Sequence, residues 1–222
     1  MLEVVSNTRH DELARGAVER SRLYGLLATV FRREPSQEFL SQLATPEMAR
    51  ALGGVGIHLD ALMEGASLTD IVDDLAIEYT RLFLGPGKHI SPHESVQLKR
   101  GSGVLWGAET PVVREAYRLA GLDIGETEKL IPDHLSVELD FLSILTNDEA
   151  EAWANNNAEH AATLLQTQHK FISRHIGKWV AAFCTKVEEQ SETSYYPAFA
   201  TVLKDFLAGE KADIINRYEP AR

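Results

Sequence analysis

Apolar residues recur every three or four positions through most of this chain, and that spacing restricts it to helical folds. Between Asp11 and Arg33 the apolar positions share one face of a helix. The same spacing returns from Asn157 to Glu189 and again from Tyr196 to Leu207. Alternating apolar and polar runs bounded by turn residues, which are typical of strands, do not occur. The sequence therefore predicts an all-α fold.

Proline, glycine and capping residues divide this pattern into separate helices. Glu34-Pro35 ends the first helix, because a residue that precedes proline avoids helical dihedral angles. Ser67–Asp70 resembles a capping box, and it predicts the start of a helix that Gly85–Gly87 ends. Thr110-Pro111 suits the start of another helix. The stretch from Lys88 to Gly107 has little periodicity and is predicted to be a long ordered loop.

A glycine-bounded break near the middle of the chain predicts a division into two parts. Gly121–Gly125 interrupts the helical pattern, and Glu126–Ile131 links it to the next helix. We predict a single helical globule of two helical halves, residues 1–125 and 126–222, joined by this hinge-like link.

Charge and cysteine content exclude several classes of function. The formal net charge of −11 repels phosphate backbones, which excludes nucleic acid as a partner, and it favours cationic partners. The single cysteine, Cys184, excludes an internal disulfide and a cysteine-based zinc site, and its apolar surroundings predict burial. There is no run of about 20 apolar residues to span a membrane. Met1–Val5 lacks the features of a secretory signal, so we expect a cytoplasmic protein.

An Asp-His pair stands at the start of the apolar helix that follows the link. Pro132 suits the first turn of a helix, and Asp133 lies where a carboxylate meets free N–H groups. His134 and Glu138 are four residues apart, so they share a helix face and are able to pair. Two interpretations remain open: a capped helix with a surface histidine, or general acid–base catalysis by these three polar residues.

Other patterns with chemical meaning are weak. Gly85–Lys88 lacks the spacing and the terminal hydroxyl residue of a phosphate-binding loop. His89, His93 and Glu94 are interrupted by Pro92, so they do not follow helical ligand spacing. No nucleophile elbow is present. We predict no catalytic residue and no metal ligand.

Tyr79, Leu82 and Phe83 form an apolar stripe at helical spacing. Such a stripe either packs in the core or lines a groove for an apolar helix or an extended peptide. The sequence leaves both interpretations open.

Four segments, taken in order, resemble the TorD/DmsD/NarJ family of chaperones, which mature molybdenum-containing oxidoreductases of anaerobic respiration. Glu78–Pro86 is similar to the family's aromatic-x-x-Leu-Phe-x-Gly-Pro, and Ser91–Val96 is similar to its proline-rich Glu-Ser-Val loop. Pro132–Phe141 and His175–Phe183 match the third and fourth segments. Tyr195-Tyr196 and Leu203–Leu207 follow the fourth segment, and the resemblance as a whole covers about Glu12 to Leu207.

Two positions depart from the family's pattern. Gln97 stands where members often have an aromatic residue, and Ile131 stands where a glutamate or proline is common. Both are beside the expected binding face, so they bear on specificity rather than on fold.

The resemblance implies a non-enzymatic protein, a monomer or a domain-swapped dimer, whose partner is the catalytic subunit of a molybdenum-containing oxidoreductase. It would bind the N-terminal twin-arginine signal peptide of that subunit, or a remnant of one, and delay export until the cofactor is inserted. Some members bind guanine nucleotide or the molybdenum cofactor, but no motif here demands either, and we predict no cofactor. The positions that match the family's signal-peptide-binding and signature residues are Tyr79, Leu82, Phe83, Pro86, Pro92, Glu94, Ser95, Gly107, Asp133 and His134.

In the expected mechanism, an acidic surface attracts the arginines of the leader and Asp133 accepts a charge-assisted hydrogen bond from one of them. Tyr79, Leu82 and Phe83 would bury the apolar segment. Two alternatives from other classes remain: a helical hydrolase that uses Asp133, His134 and Glu138, and an adaptor subunit that stays bound to its partner.

Overall fold

The computed structural model describes residues 2–59, 67–98, 104–122 and 130–218, and its regular structure is helical. Within these ranges the α-helices are α1 (Leu2–Arg32), α2 (Gln37–Leu43), α3 (Pro46–Gly54), α4 (Leu68–Tyr79), α5 (Glu94–Gln97), α6 (Glu109–Leu119), α7 (Leu135–Ala154), α8 (Ala158–Arg174), α9 (Val180–Gln190) and α10 (Tyr195–Tyr218). A π-helical turn, Thr80–Leu84, follows α4, and a 3-10 turn, Ile176–Lys178, precedes α9. Extended pairing in the described residues is limited to one bridge between His93 and His134. The predicted all-α class is confirmed.

The first helix packs along α7, which comes from the other predicted half of the chain. Gly25 lies against Ser143, and a β-carbon on Gly25 would be in ordinary contact with the Ser143 hydroxyl at 3.5 Å. The Ser21 hydroxyl donates to the Ser143 carbonyl at 2.8 Å, and the Ser143 hydroxyl donates to the Ser21 carbonyl at 2.9 Å. One apolar core therefore runs through both predicted halves.

A buried polar network joins four helices. Arg20 of α1 donates to both carboxylate oxygens of Glu149, at 2.7 and 2.8 Å, and to Glu210 of α10 at 3.0 Å. Gln168 of α8 donates to the same Glu149 carboxylate at 2.9 Å. Glu149 and Glu210 have side chains exposed by only 1% and 2%, so the Arg20 guanidinium neutralises two buried charges.

The helix starts agree only in part with the sequence. Ser67 caps α4 as predicted, with its hydroxyl oxygen accepting from the Asp70 N–H at 3.2 Å. The prediction that Thr110 caps the next helix is wrong, because α6 begins at Glu109 and Thr110 lies inside it. The predicted loop from Lys88 to Gly107 contains the short helix α5, and residues 99–103 of that loop lie outside the described ranges.

The predicted long helix from Asn157 to Glu189 is also wrong, because the chain breaks between α8 and α9. The break carries the 3-10 turn Ile176–Lys178. Gly177 makes the turn possible, since a β-carbon there would collide with the Ile172 carbonyl oxygen. Ile176 is fully buried, so the apolar stripe stays in the core across the break.

The predicted boundary between the two halves, at residues 125 and 126, lies outside the described residues, and the division remains a prediction. Cys184 is fully buried, as its apolar surroundings predict. No helix in the described ranges is long and apolar enough to cross a membrane.

Candidate functional site

The proline-rich loop and the Asp-His segment, which are far apart in sequence, pair directly in the fold. The Glu94 N–H donates to the Asp133 carbonyl at 2.9 Å, and the Leu135 N–H donates to the Pro92 carbonyl at 2.8 Å. Between these bonds lie His93 and His134, whose rings meet edge to face with centroids 4.9 Å apart. Two of the segments that carry the family resemblance therefore form one surface.

Asp133 is the polar centre of this pairing. One carboxylate oxygen accepts from the Ser95 N–H at 2.8 Å and the other accepts from the Thr110 hydroxyl at 2.9 Å. Its side chain is fully buried. The carboxylate thus caps α5 and fixes the start of α6, instead of capping its own helix as predicted. The cap of α7 is His134, whose Nδ1 accepts from the Ser136 N–H at 3.1 Å.

Gly107 lies against this junction from the turn that precedes α6. A β-carbon there would come within 2.9 Å of the Ser95 β-carbon and 3.1 Å of the Val104 carbonyl oxygen. The preceding residue, Trp106, has a φ of 60° and an exposed side chain. Only glycine lets this turn approach α5 so closely.

Behind the junction lies a cluster of buried acids. Glu94 is 2% exposed, and the Nδ1 atom of His175 lies 3.2 Å from its carboxylate. Burial raises the pKa of the Glu138 carboxyl well above its usual range, and the carboxylates of Glu94 and Asp133 raise it further. Both effects favour the protonated, uncharged form of the Glu138 carboxyl.

His134 does not pair with Glu138, although their spacing permits it. The Nδ1 atom of His134 lies 2.9 Å from the Ser136 hydroxyl. Burial lowers the pKa of His134 to about 3, so this imidazole is neutral. A neutral His134 that contacts Ser136 and makes no hydrogen bond to Glu138 does not pass a proton to it, which argues against the acid–base interpretation.

A groove of about 870 Å³ opens beside the paired segments. Its apolar lining residues are Tyr79, Phe83, Leu84, Ile90, Pro92, Val96, Leu105, Leu130 and Ile131, and its polar and charged ones are Arg32, Lys88, His89, Ser91, His93, Gln97, His134, Lys186 and Gln190. The π-helical turn forms one wall, and the Ser91–Gln97 segment forms another. Exposed apolar side chains, Leu84 at 63% and Leu105 at 49%, stand at its edge.

The predicted apolar stripe of Tyr79, Leu82 and Phe83 contributes both to the core and to the groove. Tyr79 and Phe83 line the groove, yet each is only 3% exposed, so they form its floor. Leu82 is 1% exposed and does not line the groove, which makes it a core residue. The π-helical widening after Tyr79 presents consecutive residues, Phe83 and Leu84, to the groove.

The remaining predicted residues occupy different places. Pro92 and His134 line the groove. Glu94, Ser95, Gly107 and Asp133 lie behind its wall and hold it together. Pro86 borders a separate surface depression with Ile77 and Arg81. Sequence reasoning missed Ile90, Leu105 and Leu130, and no local pattern marks them.

Asp133→Ala is expected to destabilise the fold by about 2–3 kcal/mol, because it leaves a buried N–H and a buried hydroxyl without their charged acceptor. Urea unfolding of this variant beside Asp73→Ala, which removes an exposed carboxylate on α4, measures the difference. Equal stability of the two variants would show that Asp133 is dispensable to the junction.

The arrangement of these residues gives little support for catalysis or metal binding at this site. Asp133 and Glu138 are fully buried, so a hydrolase substrate in the groove would reach only His134 of the three. In the described part of the chain, no cluster of His, Cys, Asp and Glu side chains is arranged to hold a metal ion.

The chain is similar to proteins of one known family. Residues 37–185 match the family model described as nitrate reductase delta subunit. The chain is 28% identical over 207 residues to the chaperone protein TorD of Vibrio cholerae serotype O1 El Tor Inaba, covering 87% of this chain and 90% of that protein. It is 25% identical over 211 residues to TorD of Vibrio parahaemolyticus, covering 89% and 95%. A crystal structure from Archaeoglobus fulgidus, described provisionally as a redox enzyme maturation protein, superposes with a TM-score of 0.55 at 23% identity over 85% of this chain and 93% of that one.

Proposed function

This chain belongs to the nitrate reductase delta subunit family, whose TorD members are chaperones and not enzymes, and from that membership we propose a specific maturation activity. The protein is a chaperone for a molybdenum-containing oxidoreductase. It binds the N-terminal twin-arginine signal peptide of the catalytic subunit, or a remnant of that peptide, in the groove beside Tyr79 and Phe83. Occupation of the groove keeps the leader from the export machinery until the cofactor is in place.

The observation that carries this proposal is an apolar groove that ends at exposed leucines. Isolated apolar side chains are common on protein surfaces, but Leu84 and Leu105 border a concavity whose floor is aromatic. An apolar leader segment would bury these surfaces at about 25 cal/mol per Å², before the cost of ordering the peptide is subtracted. Such a groove suits the helix-in-groove mode of peptide recognition.

The arginines of the leader need a different place from the one that the sequence predicts. Asp133 has no exposed surface and both its oxygens already accept hydrogen bonds, so an arginine reaches it only if the junction opens. The acidic outer surface of a protein with net charge −11 supplies the attraction instead. Two exposed acids, Glu189 and Glu192, flank the groove residue Gln190 in the chain.

A maturation chaperone must also release its client. An affinity near micromolar, about −8 kcal/mol, binds the leader reversibly at cellular concentrations. A small apolar groove would give an affinity in that range after the cost of ordering the peptide is subtracted.

The double variant Leu84→Gln/Leu105→Gln is expected to bind a synthetic twin-arginine leader at least about tenfold more weakly, because both leucines lose apolar burial in the complex. Fluorescence anisotropy measures the affinity, and thermal unfolding checks that the exposed substitutions leave the fold intact. Leu119→Gln is the matched control, since Leu119 is 72% exposed on α6 and does not line the groove.

The same variants decide between chaperone and adaptor. Tagged protein from anaerobically grown source cells is expected to retain a molybdenum-containing catalytic subunit with its leader, and the double variant is expected to lose it. Retention of the mature subunit, without its leader and equally by both proteins, would contradict the proposal and favour the adaptor.

A further inference from the structure

The groove has the opposite charge from the rest of the molecule. Its described lining includes Arg32, Lys88 and Lys186, and contains no aspartate or glutamate. The whole chain has a formal net charge of −11. Three cationic side chains around one groove therefore differ in sign from the average charge of the protein. Arg32 forms an ion pair with Asp140, which leaves the two lysines as the main source of positive potential.

Two of the groove histidines, His93 and His134, do not add to this charge. Burial lowers the pKa of His93, and burial lowers the pKa of His134 to about 3. Both imidazoles are neutral near pH 7, so the lysine charges persist there without a contribution from these rings.

Lys186 is held in place by an uncharged partner. Its ammonium donates to the side-chain oxygen of Gln97 at 2.7 Å, and the Gln97 amide donates to the Ser91 carbonyl at 2.7 Å. This chain of bonds fixes the α9 ammonium to the loop that forms the groove wall. Because Gln97 has no charge, it orients the ammonium without neutralising it.

We propose that the groove selects a leader whose apolar run ends in acidic side chains, and that Gln97 is a specificity-determining residue which positions Lys186 to meet them. The inference rests on the proposed function, since it concerns the peptide that occupies the same groove. The acidic end of the peptide lies against Lys88 and Lys186, and its arginines stay outside on the acidic surface. Like charges therefore exclude the arginines from the groove and fix the direction in which the leader binds.

Three synthetic peptides test the proposal. All have the same apolar run with blocked termini, so that terminal charges do not contribute, and the run ends in Glu-Glu, Gln-Gln or Arg-Arg. The Glu-Glu peptide is expected to bind about fivefold more tightly than the Gln-Gln peptide at low salt, with the Arg-Arg peptide weakest. The preference is expected to decline as salt is added, because partly exposed charges are screened.

Variants of the chain identify the residues that cause the preference for the Glu-Glu peptide. Lys88→Gln/Lys186→Gln is expected to bring the ratio of the Glu-Glu affinity to the Gln-Gln affinity to about one, and this ratio is independent of any loss of binding that the two peptides share. Gln97→Leu is expected to reduce it while both lysines remain. Lys170→Gln, which removes an exposed ammonium on α8, should retain the full preference.

The outcomes separate this inference from the proposed function. Equal binding of all three peptides, or tightest binding of the Arg-Arg peptide, would overturn the charge selection and leave apolar peptide binding intact. Absence of binding by all three would overturn both.

Discussion

Phe83→Ala is expected to destabilise the protein by about 3–5 kcal/mol, the range for truncating a buried phenylalanine. The ring of Phe83 is 3% exposed and contacts an aromatic cluster, with centroid distances of 5.0 Å to Tyr79, 5.6 Å to Tyr196 and 5.9 Å to Phe183. Truncation removes all these contacts and leaves a cavity under the groove floor. Urea unfolding, monitored by circular dichroism, measures the loss.

The adjacent residue supplies a matched control. Leu84 is 63% exposed, so Leu84→Ala is expected to change the free energy of unfolding by no more than about 0.5 kcal/mol. Both variants should weaken peptide binding, but only Phe83→Ala should lower the midpoint of unfolding. If Phe83→Ala unfolds at the wild-type urea concentration, the aromatic floor is not a packed part of the core.

Arg20→Ala is expected to have an effect of similar size, about 3–5 kcal/mol, at a position remote from the groove. Its removal leaves Glu149 without a cation, and leaves Glu210 with Arg217 alone. Buried uncompensated carboxylates are costly, whereas exposed ion pairs contribute little. Arg118→Ala breaks an exposed ion pair with Glu115 and is expected to leave the free energy of unfolding nearly unchanged, because solvent screens that pair.

A double-mutant cycle isolates the coupling within this network. Glu149→Gln removes one buried charge, so Arg20→Ala should cost less in that background than in the wild type. Urea unfolding of the wild type, both single variants and the double variant gives the cost of Arg20→Ala in each background, and the difference between these two costs is the coupling energy. Strictly additive effects would show that the arginine does not stabilise the glutamate.

The sequence predicts the helices well where apolar spacing and a cap agree. The apolar face between Asp11 and Arg33 and the Ser67 cap both correspond to helices in the structure. The break at Gly177 was missed because Ile176, Trp179 and Val180 continue the helical spacing across it. Apolar periodicity indicates which residues are buried. Because residues on both sides of the break are buried, the periodicity does not reveal the break.

The site was harder to predict because its geometry depends on partners that are distant in sequence. The segment around Asp133 identifies a helix start, but nothing local indicates that its carboxylate accepts from Ser95 and Thr110, which are 38 and 23 residues away. The same is true of the groove's charge. Lys88 and Lys186 come from separate parts of the chain, and the net charge of −11 predicts the opposite sign.

The backbone pairing between the proline-rich loop and the Asp-His segment determines when the groove can form during synthesis. Ser95 leaves the ribosome 38 residues before Asp133, a delay of roughly 2–8 s at about 5–20 residues per second. During that interval the loop has no backbone partner at Pro92 and Glu94, so the groove lacks its wall. An unfinished chain therefore has no complete binding site, and the cell acquires a working chaperone only after the second half of the protein has emerged and folded.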